Sequence, residues 1–145
     1  MKIPVYITAD EVKRVCKELK IRDWTRLKKP SVLEKEARII LKKVNTGGMK
    51  IDLKDFQRGL EVELEHGTEF KDANVTNNHP VITGKIVLAH MKEFLDYYKR
   101  LAVTELEGDL YNAIQSGNIA KIKKYYKRLT KAKLDLSIHE SKGLR

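Results

Sequence analysis

Apolar residues recur at helical spacing through most of this chain, and this periodicity constrains its fold class more than any other feature. In one segment, Leu53, Phe56, Leu60 and Leu64 fall on a single face, because residues three and four apart share a side of a helix. No stretch of useful length alternates apolar and polar residues as a β-strand does. We therefore predict an all-α fold, a compact bundle of about six helices forming one domain over residues 1–145.

Capping residues predict where the first three helices begin. Thr8 and Ser31 each precede a Glu by three residues, which is the spacing of a capping box. Asp52 caps the third helix, and we expect this helix to end at His66 with Gly67 as its C-terminal stop.

A loop rich in Asn, Thr and Asp is expected to follow, over residues 68–82. Loops of that length without structure of their own are uncommon and often functional. The fourth helix is expected from about Thr83 and the fifth from about Asp96. The sequence Ser116-Gly-Asn118 should break the fifth helix and lead into a basic sixth helix.

Four ionisable residues lie on, or at the edge of, the helix sides that helical spacing predicts to be apolar. Glu63 lies on the apolar side of the third helix and His66 at its edge, and His90 and Glu93 share the apolar side of the fourth helix. Buried carboxylates are costly unless they are paired, hydrogen-bonded or metal-bound. Two interpretations remain open: a hydrogen-bonded network in the core, or a site for one transition metal such as zinc, iron or manganese. We assign no catalytic residue and, that metal apart, expect no cofactor.

Charge is distributed unevenly along the chain, whose net charge is +10. Residues 1–48 carry 13 Lys/Arg and 6 Asp/Glu, a net +7, and residues 111–145 carry 9 and 2, again a net +7. The centre, residues 49–110, carries 8 and 12, a net −4. Two basic ends around a mildly acidic centre indicate a polyanionic or acidic partner.

The predicted sixth helix carries a surface of uniformly positive charge. Its basic residues are Lys121, Lys123, Lys124, Lys127, Arg128, Lys131 and Lys133. They could lie along a phosphate backbone and give salt-dependent binding without sequence readout. The alternative is a solvated face, or one that docks an acidic neighbouring protein.

The cysteine count and the hydropathy pattern predict an intracellular (cytoplasmic) protein. Cys16 is the single cysteine and lies between Val12, Val15 and Leu19, which is typical of a buried structural thiol. No secretory signal and no bilayer-spanning run is recognised. We therefore expect neither secretion nor a membrane partner.

The centre of the chain resembles a domain-of-unknown-function family that we associate with bacteria, phages and large DNA viruses. The residues that carry the resemblance are Gly59-Leu-Glu-Val-Glu-Leu-Glu-His-Gly67, Asn74-Val-Thr-Asn77, Thr83-Gly-Lys-Ile86, Ala89-His90 and Asp96-Tyr-Tyr98. The resemblance implies a family-like core at 52–101 to which Glu63, His66, Gly67, His90 and Tyr98 belong. It leaves the basic C-terminal extension, 111–145, outside that core, and it supplies no activity.

Our leading expectation is a non-enzymatic interaction or structural protein, a minor component of a viral or phage particle whose basic ends contact nucleic acid or acidic protein surfaces. One alternative is a metal-dependent enzyme that uses Glu63, His66, His90 and Glu93. The other is a free protein that binds nucleic acid non-specifically.

Overall fold

The computed structural model describes residues 6–143, which form six α-helices and two short 3₁₀ helices. The α-helices are α1 (Ala9–Glu18), α2 (Glu34–Val44), α3 (Leu53–Glu69), α4 (Pro80–Glu93), α5 (Tyr97–Gln115) and α6 (Ile119–Gly143). The 3₁₀ helices are Trp24–Arg26 and Lys71–Ala73. No strand occurs within the described residues, and the all-α prediction is confirmed.

Packing divides the helices into two compact units, one ending at Glu93 and the other beginning at Phe94. In the first unit α2, α3 and α4 pack against one another, and α1 contacts α4. Trp24, Ile40, Phe56 and Leu60 are fully buried in its core. That the whole chain functions as one domain stays a prediction.

The second unit is a hairpin of α5 and α6, which pack along each other. Arg100 pairs with Glu140 at 2.9 Å, and Glu107 pairs with Lys133 at 2.8 Å. The two pairs run in opposite order along the two helices, as an antiparallel hairpin requires. At the turn, Gly117 has a left-handed φ of 63° that favours glycine.

The first turn of α6 is capped by the side chain of Asn118. Asn118 Oδ1 accepts a hydrogen bond from the backbone N–H of Lys121, at 3.0 Å, and this satisfies one of the amide groups left unpaired at a helix start. Ser116-Gly-Asn118 is therefore the predicted break between the helices of the hairpin.

Two helix starts show how far caps predict boundaries. Thr8 caps α1 by accepting from the N–H of Glu11 at 3.2 Å, as expected. Ser31 does not cap α2, which begins at Glu34. There the carboxylate of Glu36 accepts from the N–H of Leu33 at 3.0 Å and so caps the helix from its third residue.

The connection between α3 and α4 is shorter than the predicted loop at 68–82. Helix α3 continues through Gly67 to Glu69, and α4 begins at Pro80, where a proline suits a first helical position. Gly67 is therefore not the C-terminal stop that was predicted. Its lack of a side chain instead allows Asn78 to pack closely against α3. A Cβ at Gly67 would overlap Asn78 Oδ1.

None of the helices in the described part of the chain has both the length and the apolar character needed to cross a membrane.

Candidate functional site

Glu63 lies at the centre of a row of four ionisable side chains from α3 and α4. Its Oε2 is 3.7 Å from Nδ1 of His66, and its Oε1 is 3.8 Å from Nε2 of His90. His90 Nδ1 is in turn 3.9 Å from Oε2 of Glu93. The i, i+3 spacing on each helix and the packing of α3 on α4 thus bring the four predicted residues together.

The members of this row differ in their exposure to solvent. The Glu63 side chain is 11% exposed and that of His90 33%, whereas His66 and Glu93 are largely exposed. Nδ1 of His66 also lies 3.2 Å from the carbonyl oxygen of Glu63. A carbonyl can only accept, so this contact places a proton on Nδ1. Glu63 is therefore the most shielded carboxylate of the row, and its polar contacts offset the cost of burial.

A small cavity of about 230 Å³ lies beside Glu63 and His66. Thr83 of α4 lines it, as do Asn74 and Thr76 of the connecting loop. Thr83 is buried, and its Oγ1 has no hydrogen-bond partner within the described residues. The cavity thus combines a shielded carboxylate, an exposed imidazole and a hydroxyl.

Metal binding was one interpretation of these four residues. Across residues 6–143, no group of three or more His, Cys, Asp or Glu side chains is arranged so that it could hold a metal ion. The contacts of 3.7–3.9 Å link the row pair by pair, as in a network of polar side chains. The single transition metal stays a prediction from the sequence.

Cys16 lies on the buried face of α1, as its apolar neighbours predict. Burial raises the pKa of its thiol, and a raised pKa disfavours the reactive thiolate. This environment suits a structural cysteine.

The seven predicted basic residues of α6 are all exposed. Lys133 pairs with Glu107 of α5. Within residues 6–143, the other six form no ion pair with a carboxylate. These six residues, Lys121, Lys123, Lys124, Lys127, Arg128 and Lys131, are called the basic face below.

Helical spacing arranges the basic face in two adjacent rows. Lys123, Lys127 and Lys131 follow one another at i, i+4, and Lys121, Lys124 and Arg128 form the second row. At a rise of 1.5 Å per residue, the two rows extend over about 15 Å. Like charges at i, i+4 destabilise a helix modestly, so an anion bound along the rows would relieve repulsion within α6.

The opposite side of α6 is the side that packs. Leu129 is buried, and Ile122 and Leu136 are half-buried. The basic face is thus turned away from the contact with α5.

Sequence reasoning missed a second cluster of cations, at a cleft of about 640 Å³ in the first unit. Arg26, Lys28 and Lys71 line the cleft together with three asparagines, Asn74, Asn77 and Asn78. The cations come from two segments that are far apart in the chain, so no local charge run marked them. The Asn-rich composition of the 68–82 segment was the available signal.

The ion pair between the exposed Arg22 and the buried Glu36 was not predicted from the sequence either. Arg22 donates to the Glu36 carboxylate from its backbone N–H at 3.0 Å, from Nε at 2.8 Å and from Nη2 at 2.6 Å. Burial would raise the pKa of Glu36, but the hydrogen bonds from Arg22 and Leu33 outweigh it and hold the pKa below its usual value. Arg22 also donates to the carbonyl of Ser31 at 2.8 Å, so the pair fixes the segment that leads into α2.

Fold and sites together define a small all-α protein with a polar row between two helices of one unit and a basic face on the other. Comparison with family models gives the family: the chain belongs to the Protein of unknown function (DUF5661) family, whose model matches residues 12–107. Comparisons with curated proteins and with solved structures found no match.

The family match bears differently on the two sites. It includes the whole polar row of Glu63, His66, His90 and Glu93, and it also spans residues 25–51. It ends at residue 107, before α6 begins at Ile119. The basic face is therefore outside the matched segment.

Proposed function

We propose that this protein is a non-enzymatic polyanion-binding protein that contacts nucleic acid through the basic face of α6. The observation that carries the proposal is the set of six exposed cations on one helix, none paired with a carboxylate within residues 6–143. Each phosphate neutralised by such a cation releases a counterion and favours binding at low salt.

The chemistry of the basic face favours backbone contact over sequence readout. Lysine is a flexible point charge, and five of the six cations are lysines. The rows lie on a helix of a two-helix hairpin rather than in a groove-reading motif. Binding is expected to follow charge density and to depend little on base sequence.

Exposed apolar side chains on α6 support an assembly as the setting. Leu134 is 58% exposed and Ile138 47% exposed, and Tyr126 is also exposed. Neighbouring protein would cover such side chains, while nucleic acid or an acidic protein surface would engage the basic face. A minor component of a viral or phage particle is the specific setting we propose.

The polar row around Glu63 is architectural in this proposal. Glu63 connects α3 to α4 through His90, and the two helices carry much of the core of the first unit. Its contribution is to stability and to the position of the loop between these helices.

The proposal is tested with full-length protein and fluorescently labelled short duplex DNA in an anisotropy titration at low salt. The test variant replaces Lys123, Lys127 and Lys131 with Gln. The matched control replaces Lys35, Lys42 and Lys54, which are exposed lysines of α2 and α3. Both variants lose the same net charge, so only position differs.

We expect the α6 variant to bind DNA roughly 10- to 100-fold more weakly than the control. Polyglutamate as competitor distinguishes a general acidic partner from nucleic acid, because its carboxylates lack the spacing of a phosphate backbone. Equal affinities for the two variants, or no binding by the wild type at low salt, would contradict the proposal.

A further inference from the structure

A chemically distinctive feature that the proposed function leaves unused is the cleft of about 640 Å³ in the first unit. Three segments form it: residues 25–28 at the first 3₁₀ helix, Gly67 on α3, and residues 71–78 of the connecting loop. Its volume lies within the range of roughly 300–1,000 Å³ that is usual for small-molecule sites.

Charge is the first property that indicates a ligand. Arg26, Lys28 and Lys71 line the cleft, and none of the described residues that line it is acidic. Arg26 is paired only loosely with Asp23, at 3.5 Å, and its side chain is 85% exposed. Three cations without a lining carboxylate favour an anionic ligand.

The backbone conformation of the asparagine loop is the second property that indicates a ligand. Asn77 and Asn78 are consecutive residues with left-handed φ values of 50° and 61°. Asparagine adopts this region more readily than most residues other than glycine, but two such residues in succession are uncommon and need surrounding contacts to hold them.

Contacts from three directions hold the strained loop in place. Asn77 Nδ2 donates to the carbonyl of Ile7 at 3.2 Å, and Asn78 Nδ2 donates to the carbonyl of Trp24 at 3.5 Å. Asn74 Nδ2 lies 3.4 Å from Asn78 Oδ1, beside Gly67. Each of these side-chain amides uses one N–H within the protein, and Asn74 Oδ1 is buried with no hydrogen-bond partner within the described residues.

We propose that this cleft binds a phosphate-bearing ligand of mononucleotide size. Arg26, Lys28 and Lys71 contact the phosphate by charge-assisted hydrogen bonds. Hydroxyl or amino groups of the same ligand lie toward the asparagine side, whose amides carry both donors and acceptors. The phosphate comes either from a free nucleotide or from the backbone of a nucleic acid.

The test is a titration of isotope-labelled full-length protein followed by amide NMR shifts. The probes are adenosine 5′-monophosphate, adenosine, inorganic phosphate and a single-stranded oligodeoxythymidine without a terminal phosphate. The shifts report position, so binding at residues 25–28 and 71–78 is distinguished from binding at the basic face of α6. Failure of the proposed function would therefore leave this test intact.

We expect saturable shifts at residues 25–28 and 71–78 with adenosine monophosphate and none with adenosine. Arg26→Gln combined with Lys71→Gln should weaken that binding about tenfold or more, since two charge-assisted contacts are lost. Lys35→Gln combined with Lys42→Gln removes the same charge elsewhere and should leave it unchanged. Both variants change exposed residues and should stay folded.

The oligonucleotide identifies the source of the phosphate. If it shifts the cleft residues at lower concentration than the mononucleotide, the ligand is a nucleic-acid backbone; the reverse order identifies a free nucleotide. The proposal is overturned if no phosphate probe gives saturable shifts at the cleft, or if the cleft variant and the control variant bind equally well.

Discussion

At the scale of single residues, ionisable groups on apolar helix faces are the most informative positions in this chain. Helical spacing placed Glu63 and His90 on the apolar sides of two helices, and in the structure their side chains lie 3.8 Å apart. The same spacing places Glu36 four residues before Ile40, on the apolar side of α2, yet its partner could not be predicted. Arg22 is 14 residues away, and only the chain path between α1 and α2 brings it close.

Replacing Glu36 with Gln should lower the free energy of unfolding by about 2–3 kcal/mol, because it leaves the Arg22 guanidinium facing a neutral, nearly buried partner. Glu34→Gln is the matched control, because Glu34 pairs with Arg38 at the surface of the same helix. Glu34→Gln should lower the free energy of unfolding by less than about 0.5 kcal/mol. Urea unfolding at neutral pH measures both, and equal costs would contradict the account.

The same pair has a pH dependence whose sign follows from the lowered pKa of Glu36. Its stabilisation is present above the unfolded carboxyl pKa of about 4.3 and is lost as the pH falls through the lower folded value. The difference in unfolding free energy between wild type and Glu36→Gln should therefore shrink in acid. A difference that grows below neutral pH would show the sign to be wrong.

Gly67→Ala should destabilise the first unit by about 1–3 kcal/mol, although alanine favours a helix by up to about 1 kcal/mol. Its Cβ would meet Asn78, which is buried and hydrogen-bonded. Gly108→Ala on α5 is the control, because nothing lies within 4 Å of the added Cβ. In thermal unfolding, Gly67→Ala should lower the stability and Gly108→Ala should raise it. If both substitutions stabilise the protein, the proposed close approach is excluded.

At the scale of elements, caps and periodicity predicted the number and order of the helices more accurately than the residues at which they end. Thr8 and Asp52 cap their helices as expected, and Asn118 caps α6. The α3–α4 connection was misjudged because Gly67 is equally typical of a helix stop and of a close contact inside a helix. Only the packed position of Asn78 distinguishes these two roles. The cleft was not predictable for a similar reason, since its cations come from separate elements.

Glu63→Ala tests the connection between α3 and α4. It removes the carboxylate that contacts both His66 and His90, and we expect unfolding free energy to fall by about 1–2 kcal/mol. DNA affinity should stay within about twofold of wild type, because the basic face lies on α6. Glu93→Ala is the control from the exposed end of the row, with a smaller effect. A large loss of DNA affinity in a folded Glu63→Ala protein would give the row a direct role.

At the scale of the whole molecule, the family match and the charge distribution separate along the chain. Residues 12–107 belong to the family, while the basic face follows on α6. The charge composition changes abruptly after residue 110, and the resemblance placed residues 111–145 outside a family-like core expected at 52–101. The sequence could not identify the partner, since lysine rows suit any dense anion. What remains measurable is how many of these cations take part in binding.

The most direct test of polyanion binding by α6 is the salt dependence of DNA affinity for wild type and the Lys123/Lys127/Lys131→Gln variant. The logarithm of the association constant falls with the logarithm of salt concentration by roughly 0.9 for each phosphate neutralised on duplex DNA. Three lost contacts should therefore make the slope shallower by about 2–3, while the Lys35/Lys42/Lys54→Gln control keeps the wild-type slope. Identical slopes for all three proteins would show that α6 is not the surface that binds.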